Sequence, residues 1–389
     1  MRDLEALAPQ SLMALARQGT GLDDFGADHF FEPLSILTRS MREDARLNAH
    51  GVAQAARRLT NALENRLRRV ALMTAHPEIA EEEVLVGAVI LGLPRTGSTM
   101  LHRLLTASPQ TTGPYWWETV FPLPRGEAGA ADIATRKADA ADLAAELIAA
   151  SEGFEAIHPL NAGAIDEELP LIEQSFMSSL PESMMYLPGY GEWLLNADQS
   201  PAYDELIEWL KILQWQTPAR RGKAWILKVP HHLSAVQTVL DKFPQAAIPM
   251  THRRIEHLMG SWYSMVASLT GGNTDLDFGT EQAKHWTQRW HRNLVAMMAA
   301  REKAESRFVD IHYRDLLTNP LAAARKVFQA AGLPVADTDE TAWANWLDGN
   351  KRDSRPSHKY DVADYGMSSA DLTRDFAFYS DRFDKERVL

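Results

Sequence analysis

Val84 to Thr99 reads VLVGAVILGLPRTGST, and the change of character inside it decides the fold class. Up to Leu93 the run is apolar and rich in β-branched residues, without polar alternation. That is the pattern of a strand covered on both faces, as in a parallel sheet. Pro94 to Ser98 breaks the run, and Thr99 to Ala107 has the character of a helix. Gly97 permits a tight turn, while Ser98 and Thr99 bring hydroxyls to the head of that helix. Unpaired N–H groups and the positive end of a helix suit an anion such as phosphate. Arg95 adds a fixed cation, and Thr96 completes the candidate anion-binding turn. The turn lacks the lysine and the longer glycine frame of GxxxxGK[ST], which weighs against magnesium-dependent ATP hydrolysis. A rigid strand-to-helix connection with no ligand is the plain alternative.

The same order of strand, polar residue and helix recurs at Ala224 to Leu227, Ala247 to Thr251 and Arg307 to Ile311. Repetition of that unit predicts an α/β fold with a central parallel sheet, ligands lying at the C-terminal strand ends. Residues 1–80 read as a helical extension, a cap or a dimer surface. A helix runs from near Asp44 with Leu59, Leu63, Leu67 and Val70 on one face, and Pro77 ends it. Residues 81–389 form the α/β unit. Within it, about 110 to 223 is a partly helical excursion, with an exposed helix at Ala130 to Ala150 and a Met-, Pro- and aromatic-rich stretch at Pro170 to Tyr190.

Composition narrows the classes of function. The 389 residues are 45% hydrophobic and 24% charged, as in an ordinary globular protein. No cysteine is present, which excludes disulfides, thiolate metal sites and cysteine nucleophiles. A net charge of −12 argues against a nucleic-acid or anionic-membrane binder. The start MRDLEALAPQ lacks a secretory layout, and no apolar run approaches the roughly 20 residues of a membrane span. A cytoplasmic protein is the expectation. His252 and His257 lack a carboxylate set that would complete a divalent-ion site, so no metal is expected.

Val89 to Leu105, VILGLPRTGSTMLHRLL, resembles the 5′-phosphosulfate loop of sulfotransferases that use 3′-phosphoadenosine-5′-phosphosulfate (PAPS). A second block, Trp225 to Leu269, contains ILKVPHHL, FPQAAIPMTHRR and Ser261. In this order the two blocks are similar to the broad bacterial sulfotransferase family, related to the cytosolic and tyrosylprotein enzymes, from about residue 84 to 330. The resemblance implies a P-loop-type three-layer fold with added helical elements. It also implies transfer of a sulfonate from PAPS to a hydroxyl of a small acceptor, leaving 3′,5′-ADP (PAP) and requiring no metal.

Carried onto this chain, the resemblance gives Arg95 to Thr99 the 5′-phosphosulfate and gives Arg253 and Ser261 the 3′-phosphate. A guanidinium forks onto phosphate and a hydroxyl completes the cage. The family often continues His-Arg-Asp-Pro, whereas this chain has His252-Arg253-Arg254-Ile255. Lys228 falls where a lysine points toward the sulfonate and offsets charge on the bridging oxygen. Two groups compete as proton acceptor, Glu118 after Tyr115-Trp116-Trp117 and His232 in the Lys-x-Pro-x-His pattern. Tyr313 is a candidate for the adenosine half, although Arg314 replaces the usual glutamate beside it.

Trp116, Trp117, Phe176, Met184 and Tyr186 are compatible with an apolar alcohol or phenol as acceptor. His158, Glu167 and Glu168 are weaker acceptor-side candidates, and adjacent carboxylates do not share a helix face. Lys351, Arg352, Arg355, His358 and Lys359 form a basic patch that closes over the nucleotide or stays a solvated loop. An ATP–magnesium kinase or hydrolase and a non-catalytic nucleotide-binding protein remain open at this level.

Overall fold

Alternate residues of the first strand, β1 (Val86–Gly92), point to opposite faces of the sheet, and both sets are apolar. Ala88 and Ile90 join one core with Leu101, Leu104, Val309, Phe328 and Trp343. Val89 and Leu91 join the other with Leu63, Leu210, Met250 and Trp286. A strand buried on both sides has no need of polar alternation, which is why the run reads as continuous. The computed structural model describes residues 4–150, 161–350 and 360–383. His158 and the basic patch at 351–359 lie outside the described residues.

Four more strands complete a five-stranded, all-parallel sheet: β2 (Thr111–Thr112), β3 (Ala224–Lys228), β4 (Ile248–His252) and β5 (Phe308–His312). Their order is β2-β3-β1-β4-β5. Three of the longer strands follow the apolar segments of the sequence to within one residue at each end. The two-residue β2 carries no sequence signal of its own. Register matters more than length for the site. Ile90 pairs with Lys228, Gly92 with Thr251, and His252 with His312. The C-terminal ends of β3, β1, β4 and β5 therefore open on one edge, and the residues that follow them meet there.

Helices cover both faces, giving three layers. On one face lie Ser98–Leu105, Pro320–Ala330 and Asp337–Gly349. On the other lie Ala49–Ala75, Ser200–Gln216, Ile255–Gly271 and Gly279–Glu302. The Ala49–Ala75 helix starts at Asn48, whose side chain accepts from the Gly51 N–H at 2.8 Å, and stops just before Pro77. Leu59, Leu63 and Leu67 are buried as their spacing predicts, in the same apolar cluster as β1. Glu205 fastens this layer: it meets Arg66, Arg69 and His29. Burial raises its pKa, but His29, Arg69 and Arg66 outweigh that and hold it at about 2.

The Ala130–Ala150 helix forms as expected, yet it is not wholly exposed. Ala140 and Ala144 pack against Trp116 and Trp117, small side chains letting the helix approach the indoles. Among the described residues no helix is long and apolar enough to cross a membrane. No group of three or more His, Asp or Glu side chains among them is arranged to hold a metal ion.

Candidate active site

The turn after β1 is built by backbone strain and by crowding. Arg95 takes a left-handed φ of 69°, at a cost of roughly 1–2 kcal/mol for a residue with a side chain. Gly97 follows at φ 86°, and a Cβ there would lie 3.0 Å from side-chain atoms of Tyr313 and Leu316. Glycine thus serves both the dihedral and the space. Thr96 is buried, its hydroxyl donating to the Leu93 carbonyl at 2.7 Å and sharing a 2.6 Å hydrogen bond with Thr251 on β4. Its side chain braces the turn, leaving any ligand to the N–H groups and to Ser98 at the start of the Ser98–Leu105 helix.

Lys228 ends β3 beside Ile90, and its side chain is 2% exposed. Its ammonium donates to Thr99 Oγ1 at 3.1 Å and pairs with Glu167. Its backbone N–H donates to Glu168 Oε2 at 3.1 Å. From the other side, Arg253 leaves β4 and donates from Nη1 to the Arg95 carbonyl at 3.0 Å. Its guanidinium lies over the Tyr313 ring, 4.3 Å from the centroid. Ser261, two helical turns on, has a buried hydroxyl with no partner. Such a group is costly unless something completes it. The next residue back, Gly260, lies against Tyr360, where a Cβ would be 3.2 Å from the backbone oxygen.

A strained turn at a helix start, a lysine on one flank and an arginine with an orphaned hydroxyl on the other are brought together at this edge of the sheet. The model of the sulfotransferase family matches residues 88–337, well over half of the chain. The chain belongs to the sulfotransferase family. Solved sulfotransferases extend the likeness to the whole fold. The sulfotransferase STF1 of Mycobacterium tuberculosis H37Rv is 29% identical, with a TM-score of 0.82 over 95% of this chain and 98% of that one. The sulfotransferase STF9 of Mycobacterium avium is 25% identical, with a TM-score of 0.86 over 97% of each chain. No curated protein matches this chain significantly.

Within this sulfotransferase fold, both expected proton acceptors are already engaged. Glu118 is 2% exposed and caps its own short helix, Trp116–Val120, accepting from the Tyr115 N–H at 2.9 Å. The same oxygen accepts from Arg220 Nη2 at 2.7 Å. His232 is fully buried, with Nε2 on Glu168 at 2.6 Å and Nδ1 on the Tyr203 hydroxyl at 2.7 Å. Glu168 is itself buried; burial alone would raise its pKa, but the bond and charge of His232 lower it overall. Both ring nitrogens of His232 are thus occupied, and Glu118 Oε2 is held by two donors. His231, passed over in the sequence, accepts the Ser179 N–H at 3.2 Å and leaves Nε2 without a partner. Burial, with His232 and Arg289 nearby, keeps its pKa well below the usual value.

Several expected acceptor contacts are parts of the core. Trp117 lies under Arg136 and Lys137, at 4.9 and 5.3 Å from its ring, and Trp116 packs in the same cluster. Phe176 is buried at a left-handed φ of 61° with its ring 6.2 Å from Phe30. Tyr186 stacks on Phe278 at 4.9 Å, and Met184 accepts from Asn273 at 3.1 Å through its carbonyl; both keep a partly exposed face. Tyr313, expected at an adenosine, lies beneath Arg253. Glu167 ranks among the weaker acceptor-side candidates in the sequence, because nothing in AIDEEL separates it from its neighbours before the chain folds.

Proposed function

We propose that this protein transfers a sulfonate group from PAPS to the hydroxyl of a small, apolar alcohol or phenol, releasing 3′,5′-ADP. The observation that carries this reading is the bond from Arg253 to the Arg95 carbonyl. It ties together two stretches 158 residues apart in sequence, which supports one donor spanning both. The orphaned Ser261 hydroxyl and the glycine-lined turn fit the two phosphate ends of such a donor. When bound, PAPS supplies a sulfonate already activated by its phosphate leaving group.

The protein's own residues then have simple tasks. Arg253 and Ser261 hold the 3′-phosphate. The N–H groups of the turn and Ser98 hold the 5′ end at the positive pole of the helix. Lys228 offsets the negative charge that grows on the leaving oxygen, in a site where burial strengthens electrostatics. The acceptor class rests on the Met- and aromatic-rich segment, of which Met184 and Tyr186 keep partly exposed faces.

Titration with 3′,5′-ADP, ADP–magnesium and AMP tests the reading. Tighter binding of 3′,5′-ADP than of AMP, by about tenfold or more for one charge-assisted phosphate contact, is expected. Preference for ADP–magnesium would sink it.

A further inference from the structure

Glu167 is the carboxylate that meets Lys228. The ammonium it pairs with also donates to Thr99 Oγ1 in the anion-binding turn, so the carboxylate stands beside the place where charge must change. Its side chain is 19% exposed, against 2% for Glu118 and 0% for both Glu168 and His232. Of these four groups it alone pairs with the Lys228 ammonium and also keeps exposure to the outside, from which an acceptor must enter.

The chain that carries Glu167 is pinned on both sides. The carbonyl of Ile165 accepts from Arg103 Nε at 2.9 Å, and the Asp166 N–H donates to the Pro114 carbonyl at 2.9 Å. Asp166 Oδ1 accepts the N–H of Glu167 itself at 2.7 Å. Glu168 is anchored beneath by the Lys228 N–H and His232. Positioning of this kind converts a surface carboxylate into a directed one.

Resting on the sulfonate-transfer reading above, we propose that Glu167 is the group that takes the acceptor hydroxyl proton, acting as a unit with Lys228. The hydroxyl proton passes to a carboxylate oxygen of Glu167. The freed oxygen pair forms the new bond to sulfur, and the bond from sulfur to the 5′-phosphate oxygen breaks, its electron pair leaving with 3′,5′-ADP. Protonation neutralises Glu167, so Lys228 loses its partner at the moment the leaving oxygen gains charge. One proton transfer thus redirects a cation that Glu167 otherwise holds in an ion pair. The roles expected of Glu118 and His232 become positional: the first ties Arg220 to the Trp116–Val120 helix, and the second holds Glu168 under Lys228.

E167Q separates this role from a structural one. Turnover of an alkyl alcohol should fall about 10²- to 10⁴-fold, the range general base catalysis supplies. Across phenols of increasing acidity the loss should shrink, because a hydroxyl that ionises readily needs less help. Binding of 3′,5′-ADP, measured by calorimetry without turnover, should hold or tighten, since a carboxylate competing for Lys228 is gone. E167D, which retains the charge, should recover part of the turnover. An equal loss across the whole acceptor series, weakened 3′,5′-ADP binding, or turnover near wild type would overturn the proposal. Failure of the underlying reading looks different: the unaltered protein would then show no preference for 3′,5′-ADP over AMP.

Discussion

The guanidinium of Arg253 lies over the ring of Tyr313, 4.3 Å from its centroid, while its Nη1 donates to the carbonyl of Arg95 at 3.0 Å. That same tyrosine crowds the position a Cβ would take on Gly97. One stack therefore sets the arginine beside the turn and forces the turn to be glycine. The ends of β1, β4 and β5 are linked through it.

Substitution of Arg253 tests the stack and the proposed 3′-phosphate contact together. R253A and R253K should both weaken 3′,5′-ADP binding by about 10- to 100-fold, because lysine has neither the planar face nor the fork. AMP, which lacks the 3′-phosphate, should bind both variants as it binds the unaltered protein. Calorimetric titration with each nucleotide checks this, and an equal loss for AMP would remove the 3′-phosphate assignment.

G97A addresses the turn. Adding a side chain at φ 86° costs roughly 1–2 kcal/mol by itself, and the new Cβ also meets Tyr313 and Leu316 at 3.0 Å. Urea unfolding should show that loss, and 3′,5′-ADP binding should fall with it. Unchanged unfolding midpoint and affinity would mean the turn relaxes freely.

Glu118 should prove structural. Removing one member of a buried ion pair strands the other, at a cost of about 3–5 kcal/mol, so E118Q is expected to lower the melting temperature through unpaired Arg220. The molecules that remain folded should turn over close to the wild-type rate. A stable E118Q protein with turnover abolished would return the proton-accepting role to Glu118.

Glu205 predicts how stability depends on acidity. Its pKa in the fold is about 2, below the ordinary carboxylate value of about 4.3. A depressed folded-state value stabilises the protein above the ordinary pKa, and that stabilisation fades as pH drops toward 2. Between about pH 4.5 and 2 the unaltered protein should therefore lose stability more steeply than E205Q, which starts roughly 3 kcal/mol lower at neutral pH. Parallel stability curves would exclude Glu205 as the source.

Much of the site was legible because it is local. The strand at Val86–Gly92, the glycine turn and the helix after it are neighbours in sequence, so their apolar run, φ requirement and hydroxyls can be read in order. Arg253 and Lys228 were legible for the same reason, each following an apolar strand. The burial and pairing of Glu118 and His232 were not legible, because they depend on partners that sequence does not place beside them. Glu118 meets Arg220 across 102 residues, and His232 meets Glu168 across 64. The packing of the Ala130–Ala150 helix over Trp116 and Trp117 is another long-range contact that the sequence does not show.

The sequence by itself determined the parallel α/β sheet and the glycine turn after its first strand, since burial on both faces and a left-handed glycine are properties of a few consecutive residues. Only the tertiary structure decided which charged groups stay available. Availability depends on long-range pairing: the same carboxylate is a cap when an arginine reaches it and a candidate base when it faces the outside beside a lysine.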